Sequence, residues 1–429
     1  METLADVSQA LNEAWGLSPF WSDIVTAILI LLVAVVVFLV ALLFGGLLTW
    51  LERRVSGRAQ SRVGPNQVGP LDVLPWLADG LKLIMKEDTV PADADKPLFR
   101  LAPYPVMIGV FAAFATIPFS QLLIAADLNV GLLFLLAITS LVVVGVLMAG
   151  WASNNKWSLL GGIRAAAQIV SYEIPAALSL MVIVLLSGSL SMQTLIEQQG
   201  GWPWQWYIFH NPFTFIAFFT YFIAAVAEAN RIPFDLPEAE SELVAGYNTE
   251  YSGMRFAGFF LGEFTNIYLM SAIATTVFFG GWQVPGVTPE QQAASWGLQI
   301  LGLFVFLIKA WIGSFVVLWM RWTLPRLRVD QLMGLCYRYL VPIAFVCLLV
   351  SAIYSLVIPA GSTIDLVIHV LTAGLGGLVV LIFLWRVIHH ARQVGDRLSP
   401  FYVLQRGDKF KFDPEQQARR YGRHRKEAR

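Results

Sequence analysis

Several arginines stand beside a glycine–proline turn in the first long polar segment, which contains GRAQSRVGPNQVGP. Gly64 and Pro65 shape the backbone there, because glycine permits positive φ and proline fixes φ. Basic residues near a membrane often only set the orientation of the chain, but orientation does not explain the turn residues beside Arg62. The pattern therefore predicts a shaped basic site. Its arginines are Arg53, Arg54, Arg58 and Arg62, and its possible counter-charges are Glu52 and Asp79.

A second polar segment, AEANRIPFDLPEAESELVAGYNTEYSGM, is acidic. Asp235 resembles a helix N-cap, because an early proline and then Glu238 follow it. On that helix Glu238 and Glu242 would share a face, while Glu240 would point elsewhere. Five acids and no Lys or Arg lie between Asp235 and Glu250. We expect close carboxylates to raise one another's pKa values, which would let them exchange protons near neutral pH.

Four ionisable residues fall inside long apolar stretches: Glu173, Glu228, Glu263 and Lys309. A charge at membrane depth is costly, so such residues usually face protein or water and take part in ion or proton transfer. We predict this role for Glu173, which lies in SYEIP, and for Glu263. Glu228 could instead reach the membrane surface, and Lys309 could be the structural partner of an acid.

Metal and nucleotide motifs are missing from the sequence. The five histidines form no i, i+4 pair, and there is neither a phosphate-binding P-loop nor a GxGxxG turn. Cys336 and Cys347 are the only cysteines, too few for a cluster that needs four thiolates. We therefore expect this chain to bind no metal, and any redox centre to lie in another chain.

The composition is that of a membrane protein. The chain has 429 residues, of which 57% are hydrophobic and 14% are charged. Several stretches contain about 20 apolar residues, the length that a helix needs to cross about 30 Å of hydrocarbon. We predict an all-α polytopic membrane protein with about nine transmembrane helices. The predicted spans are residues 24–48, 105–124, 131–151, 166–187, 213–230, 255–279, 298–320, 339–358 and 366–388.

Basic residues collect on one side of these spans, called the basic side below. Of the 29 Lys and Arg residues, 28 lie on that side and the last, Lys309, lies inside a span. The positive-inside rule assigns that side to the cytoplasm. The predicted organisation is an exoplasmic N-terminus (1–23), an eight-span core (24–358) with long loops at 52–103 and 230–254, a ninth transmembrane helix (359–390) and a basic cytoplasmic tail (391–429).

Two further features concern the membrane. The stretch LADGLKLIMKED predicts a short amphipathic helix with Leu77, Leu81 and Ile84 on one face. A lipid-soluble substrate would enter the protein from the membrane beside such a helix. The basic tail, in a chain of zero net charge, favours contact with anionic lipid over nucleic acid, and we expect no nucleic-acid partner.

Four motifs carry a resemblance to a known family, over about residues 42–354. They are GRAQSRVGPNQVGP, LADGLK, NNKWSLLGGIRAAAQIVSYEIP and the acidic segment. The chain resembles the H-subunit family of bacterial NADH-quinone dehydrogenase, respiratory complex I, whose mitochondrial counterpart is the NADH dehydrogenase 1 family. The resemblance implies a component of the bacterial inner membrane whose two long loops form much of a quinone-binding chamber. The implied quinone-site residues are Glu52, Arg53, Arg62, Asp79 and Asp235.

The resemblance also implies a chain of acids that couples quinone reduction to proton movement. Iron–sulfur clusters and FMN would belong to partner subunits, and quinone would be the substrate. The implied partners are the peripheral-arm quinone-site and iron–sulfur subunits, and small membrane subunits next to the antiporter-like subunits. The implied acids are Glu173, Glu228, Glu238, Glu240, Glu242 and Glu263.

Three other functions remain open from the sequence. A proton-coupled transporter acting alone would explain the buried acids but not the basic turn. A structural anchor would explain the loops but not Glu173 and Glu263. A related subunit of a hydrogenase, or of a dehydrogenase with another donor, is a nearer alternative, against which the retained RVGPN turn argues.

Overall fold

The computed structural model describes residues 19–404, except residues 63, 66–67, 70–72, 238–239 and 359–361. Most of the predicted N-terminal segment (1–23) and most of the predicted tail therefore lie outside the described residues, and residues 19–23 belong to α1. The helices are α1 (Pro19–Ala59), α2 (Pro75–Met85), α3 (Lys96–Leu101), α4 (Pro103–Ala113), α5 (Gly131–Thr139), α6 (Leu141–Ala152), α7 (Lys156–Ser187), α8 (Met192–Glu197), α9 (Pro212–Glu228), α10 (Glu240–Leu243), α11 (Gly253–Phe278), α12 (Pro289–Ala294), α13 (Trp296–Thr323), α14 (Val329–Gly334), α15 (Val341–Val357) and α16 (Thr363–Leu404).

The predicted all-α membrane fold is confirmed. Within the described ranges, eight helical segments are long and apolar enough to cross a bilayer. Five lie in α1, α7, α11, α13 and α16, and three combine shorter helices: α3 with α4, α5 with α6, and α14 with α15. The fifth predicted span, residues 213–230, is α9, an apolar helix of 17 residues.

The predicted boundaries of the second span are wrong. The helical segment covers Lys96–Thr116 rather than residues 105–124. It ends early because Pro118 disfavours helical backbone at the preceding residue, and Ile117 is extended with ψ 120°. It begins early because a proline is tolerated in the first turn of a helix, as at the start of α3.

Helix α7 is longer than its predicted span of residues 166–187 and reaches into the basic side. Asn155 caps its first turn, because the side-chain oxygen accepts a hydrogen bond from the backbone N–H of Trp157 at 2.9 Å. Gly188, with φ +69°, ends the helix in the left-handed conformation. Pro175 lies within it, and its carbonyl accepts the Ser179 hydroxyl at 2.7 Å.

Two helices form the centre of the bundle. Helix α7 packs against α6, α9 and α15, and α11 packs against α1, α4 and α13. Phe44 of α1 stacks on Tyr268 of α11 with ring centroids 4.3 Å apart, and Tyr172, Tyr221 and Tyr268 are fully buried or nearly so. Within the described ranges, the residues up to Thr372 form one compact unit, and those from Ala373 to the end of α16 form a second.

Candidate functional site

A buried carboxylate with two arginines lies at the basic end of the bundle. Glu52, near the end of α1, forms salt bridges with Arg321 of α13 and with Arg231, whose Nη1 lies 3.6 Å from Glu52 Oε2. The Arg231 guanidinium also lies 4.2 Å from the centre of the Phe264 ring. Glu52, Arg231 and Arg321 are called the Glu52 cluster below.

The partners of Glu52 differ from those that the sequence suggested. Arg53, Arg54, Arg58 and Arg62 are near it in sequence, yet its described salt bridges are to arginines of distant segments. The reason is helical geometry, because adjacent side chains on α1 point in different directions. Neither Arg231 nor Arg321 was singled out from the sequence. The sequence pointed to these two arginines only in that both lie close to predicted spans, where a charge is costly.

Asp79 has the counter-charge role that the sequence suggested. Its carboxylate forms a salt bridge with Arg53 and a second one with Lys82, whose Nζ lies 3.1 Å away on the same helix, α2. Partial burial raises the pKa of Asp79, but the hydrogen bonds from Arg53 and Lys82 outweigh it and hold that pKa below its ordinary value. The pair joins the end of α1 to α2.

The glycine–proline turn is described only in part. Arg62 is exposed, and its Nε donates to the Gln60 side-chain oxygen at 2.7 Å. Gly64 lies against the backbone of Arg53 and Arg54, so the described start of the turn folds back on α1. Val63, Asn66, Gln67 and Pro70 lie outside the described residues.

The predicted amphipathic helix is present as α2, Pro75–Met85. Leu77, Leu81 and Ile84, its predicted apolar face, are all exposed, and so is Met85. Trp76 is oriented toward α1, where its ring lies over Gly46. The apolar face of α2 is thus directed away from the described core.

Arg231 connects the Glu52 cluster with the end of α9, where Glu228 is buried. The segment between them is held by Gln168 of α7, whose side-chain N–H groups donate to the carbonyls of Ala227 and Phe234, both at 2.7 Å, and to Asn230 Oδ1 at 3.1 Å. One buried amide therefore fixes the chain on both sides of Arg231. Gln168 was not predicted from the sequence.

Glu228 at the end of α9 and Glu173 of α7 interact electrostatically, and the two helices pack against each other. Glu228 is buried and Glu173 is half-buried. Burial excludes the alternative that Glu228 reaches the membrane surface. Tyr221, two turns earlier on α9, donates its hydroxyl to the Met270 carbonyl at 3.1 Å and so ties α9 to α11.

Three hydrogen bonds fix the turn of α7 that precedes Glu173. The buried Tyr172 hydroxyl donates to the Leu332 carbonyl at 2.9 Å, and the Cys336 thiol donates to the Ser171 carbonyl at 3.0 Å. Ser171 Oγ lies 3.0 Å from the Tyr337 hydroxyl. Cys336 and Tyr337 belong to a π-helical turn, Leu335–Leu340, in the eighth span. π turns are frequent at functional sites.

The expectation of a raised pKa is wrong for Glu242. Arg164 Nη1 of α7 lies 2.7 Å from the Glu242 carboxylate, and this hydrogen bond is the main reason that the pKa of Glu242 is lowered. Glu250 likewise accepts a hydrogen bond from the Asn155 side chain at 2.7 Å. The compensating polar groups come from another helix, which the local charge pattern could not show.

The acidic segment packs closely on α7 through two glycines. An added Cβ on Gly161 would lie 2.7 Å from Gly246 Cα, and Gly246 has φ +56°. This approach requires glycine at both positions. The next residue, Tyr247, donates its hydroxyl to the half-buried Glu263 at 2.6 Å. The acidic segment and the intramembrane Glu263 are therefore in direct contact.

The predicted helix start at Asp235 is wrong. Asp235 and Leu236 are not helical, and the short helix α10 begins at Glu240. Tertiary contacts hold this part of the chain, because the Asp235 carbonyl accepts a hydrogen bond from Arg326 and the Pro233 carbonyl accepts one from Leu327 N–H at 3.0 Å. Glu238 lies outside the described residues, as does the Glu240 side chain.

Lys309 does not pair with an acid within the described ranges. Its Nζ donates to the carbonyls of Phe279 and Gly281, at 2.7 and 2.9 Å, just beyond the end of α11. It also lies 4.6 Å from the centre of the Trp206 ring. The alternative that Lys309 is the partner of an acid is therefore not supported. Among the described residues, no cluster of three or more His, Cys, Asp or Glu could hold a metal ion.

Comparison with known proteins matches this arrangement of motifs to one family. The profile of the family described as NADH dehydrogenase matches residues 30–352. The H subunit of the NADH-quinone oxidoreductase of Anaeromyxobacter dehalogenans is 53% identical over 79% of this chain and 86% of its own length. The protein of the same name from Chlorobium luteolum is 49% identical over 72% and 84%. That from Chlorobaculum parvum is 46% identical over 79% and 95%.

Proposed function

We propose, from the premise that this chain belongs to the H-subunit family of NADH-quinone oxidoreductase, that it forms much of a quinone-binding chamber and couples quinone reduction to proton translocation. The Glu52 cluster carries the proposal. It joins the end of α1, beside the basic turn, to the segment that follows Glu228. A charge change in the chamber would therefore act directly on the group next to the intramembrane acids.

In the proposed chamber this chain binds the quinone and responds to its charge. Reduction of a quinone to a quinol consumes two electrons and two protons, and the electrons would come from iron–sulfur clusters and FMN in partner subunits. The proposed quinone-site residues of this chain are Glu52, Arg53, Arg62, Asp79 and Asp235. The two arginines among them would place positive charge near the forming anion, which stabilises it most where water is excluded.

The proposed coupling path begins at the Glu52 cluster. A negative charge on the quinone would attract Arg231 and weaken its pairing with Glu52, since the two side chains are buried in a medium of low dielectric constant. Arg231 lies three residues from Glu228 in sequence, and Glu228 interacts electrostatically with Glu173. The acids proposed to carry protons are Glu173, Glu228, Glu238, Glu240, Glu242 and Glu263.

The proposed setting is a bacterial inner membrane, with the N-terminus exoplasmic and the basic side cytoplasmic. Peripheral-arm quinone-site and iron–sulfur subunits would cover the basic side. Small membrane subunits next to the antiporter-like subunits would contact the spans. The exposed apolar face of α2 supports entry of quinone from the lipid there. We propose that the isolated chain has no activity.

The test is NADH:quinone reductase activity with coupled proton pumping in membranes that carry Arg62→Ala or Glu173→Gln. Arg62→Ala should weaken quinone reduction while the complex stays assembled. Glu173→Gln should impair pumping or turnover. The controls are Arg100→Ala, which removes an exposed arginine of α3, and Glu290→Gln, which removes an acid of α12. If both test variants behave like their controls, the motifs are structural and the proposed mechanism is wrong.

A further inference from the structure

A groove on the membrane-facing surface lies apart from the proposed quinone site. Helices α9, α11 and α13 line a cavity of about 370 Å³ whose walls are almost entirely apolar. Phe219 and Ile312 on its rim are exposed, so the groove opens to the outside of this chain. From Lys309 to Val317 it follows α13 for eight residues, or about 12 Å.

One end of the groove carries the only charged side chain among the described residues that line it. Lys309 lines the cavity, and two backbone carbonyls accept hydrogen bonds from its ammonium group. An ammonium group has three donors, and the described backbone accepts hydrogen bonds from two of them. No carboxylate of the described residues lies within 4.0 Å of it, and the carbonyls at a helix end supply only partial negative charge. Within the described residues, no acid therefore pairs with the lysine at this end of the groove.

Tryptophans mark the level of the membrane interface at the same end. Trp206 lines the groove beside Lys309. In the same connection Trp202 and Trp204 are exposed and stacked, with ring centroids 4.9 Å apart. Exposed tryptophans of this kind are typical of the boundary between lipid head groups and acyl chains. The connection joins α8 to α9 on the side opposite the basic side.

These observations fit one kind of occupant. We propose that the groove binds the acyl chain of a phospholipid from the leaflet opposite the basic side, with its phosphodiester hydrogen-bonded to Lys309. The apolar length of about 12 Å compares with about 15 Å of hydrocarbon in one leaflet. The phosphodiester neutralises the ammonium group where water is scarce. This site does not depend on the proposed roles of the acids or of the basic turn.

The test uses the assembled complex in phosphatidylcholine vesicles. The probe is phosphatidylglycerol with a photoreactive diazirine on one acyl chain, and a diacylglycerol with the same chain replaces it in a parallel sample. After illumination, mass spectrometry locates the labelled peptides. We expect phosphatidylglycerol to label the groove walls in α9, α11 or α13 roughly tenfold more than the diacylglycerol, which lacks the charged acceptor. Excess unlabelled phosphatidylglycerol should suppress the label, and excess diacylglycerol should not.

Variants separate the lysine from the groove. Lys309→Met should reduce labelling by phosphatidylglycerol roughly tenfold, and Lys309→Arg should retain it. Val316→Trp should fill the groove and abolish the label while Lys309 stays in place. Lys156→Met, at the start of α7 on the basic side, is the control that should change nothing. Where a variant does not assemble, the competition in the wild-type complex decides.

Three results would overturn the proposal. Equal labelling by both probes would mean that the phosphodiester is not recognised. Unchanged labelling in Lys309→Met would remove the lysine from the site. Labelling of other surfaces only, with the groove walls unlabelled, would mean that a partner protein rather than a lipid covers the groove.

Discussion

Arg231 Nη1 and Glu52 Oε2 lie 3.6 Å apart in the protein interior, although 178 residues lie between Glu52 and Arg231 in the chain. Arg321 contacts the same carboxylate from α13. Burying charges is costly unless they are paired, so removing the shared anion has the largest effect. The stability of the site thus depends on one carboxylate.

Glu52→Gln should therefore destabilise the protein, because it leaves two neighbouring arginines without their shared anion. Breaking a buried pair costs about 3–5 kcal/mol, and we expect less assembled protein in the membrane. The double variant Glu52→Gln with Arg321→Gln should recover part of the loss. Quantitative blotting of the assembled complex measures this. A single variant that assembles as well as the wild type would show that the cluster is not structurally important.

The Arg53–Asp79 pair should act independently of pH in the physiological range. The pKa of Asp79 is lowered below 3.8, so its contribution is present above pH ~4 and is lost only as pH falls through the lower folded value. Asp79→Asn should raise the KM for a short-chain quinone by the same factor at pH 5.5 and pH 8. Lys82→Met, which removes the second contact, should have a smaller effect. A factor that changes between these pH values would contradict the assignment.

Arg164→Gln should remove the hydrogen bond that the Glu242 carboxylate accepts from Arg164. The Arg164 hydrogen bond is the main cause of its lowered pKa, so the pKa should rise toward 4.5 or above, and the carboxyl group should bind a proton at higher pH. Infrared difference spectra of the carboxyl band, with Glu242→Gln to identify it, measure the shift. Arg164→Lys keeps the charge and should shift it less. An unshifted band in Arg164→Gln would show that other groups control Glu242.

Gly161→Ala should displace the acidic segment, because the new Cβ would meet Gly246 backbone at 2.7 Å, a contact that a rotamer change cannot relieve. Overpacking of this kind costs about 1–3 kcal/mol. The control is Gly80→Ala, whose Cβ meets nothing within 4 Å. The melting temperature of the assembled complex should fall for the first variant only. Equal melting temperatures would mean that the segment adapts freely.

Tyr172→Phe should destabilise the eighth span, since it removes the buried hydrogen bond to the Leu332 carbonyl, which then keeps the one from Leu335 N–H. The expected cost is about 0.5–1.5 kcal/mol. Tyr337→Phe is the matched change, because Tyr337 is exposed and Ser171 keeps its hydrogen bond to the Ala167 carbonyl at 2.6 Å. Thermal unfolding should separate the two variants. If they unfold alike, the Tyr172 hydroxyl contributes nothing to stability.

Hydrophobic runs were sufficient to predict the fold class. A span must satisfy its backbone hydrogen bonds within itself and must be about 20 residues long, so composition and length alone identify it. The same apolar runs contain Glu173 and Glu263, which lie in apolar helices of the structure. Asp79 was predicted only as a counter-charge of the basic turn, and the structure pairs it with Arg53. Helix ends were less predictable, as at Thr116, because proline and capping act over one or two residues.

The sequence by itself determined which residue types occur at each depth of the membrane. Only the tertiary structure decided which charges meet. Glu52 pairs with Arg231 and Arg321 rather than with the arginines next to it in sequence. Glu242 lies among other acids in the sequence, yet it pairs with Arg164. Charge pairing depends on the crossing of helices that are distant in sequence, and no local pattern contains that information. The acids can therefore be identified from the sequence. The basic residues that pair with them are determined by the packing of the helices.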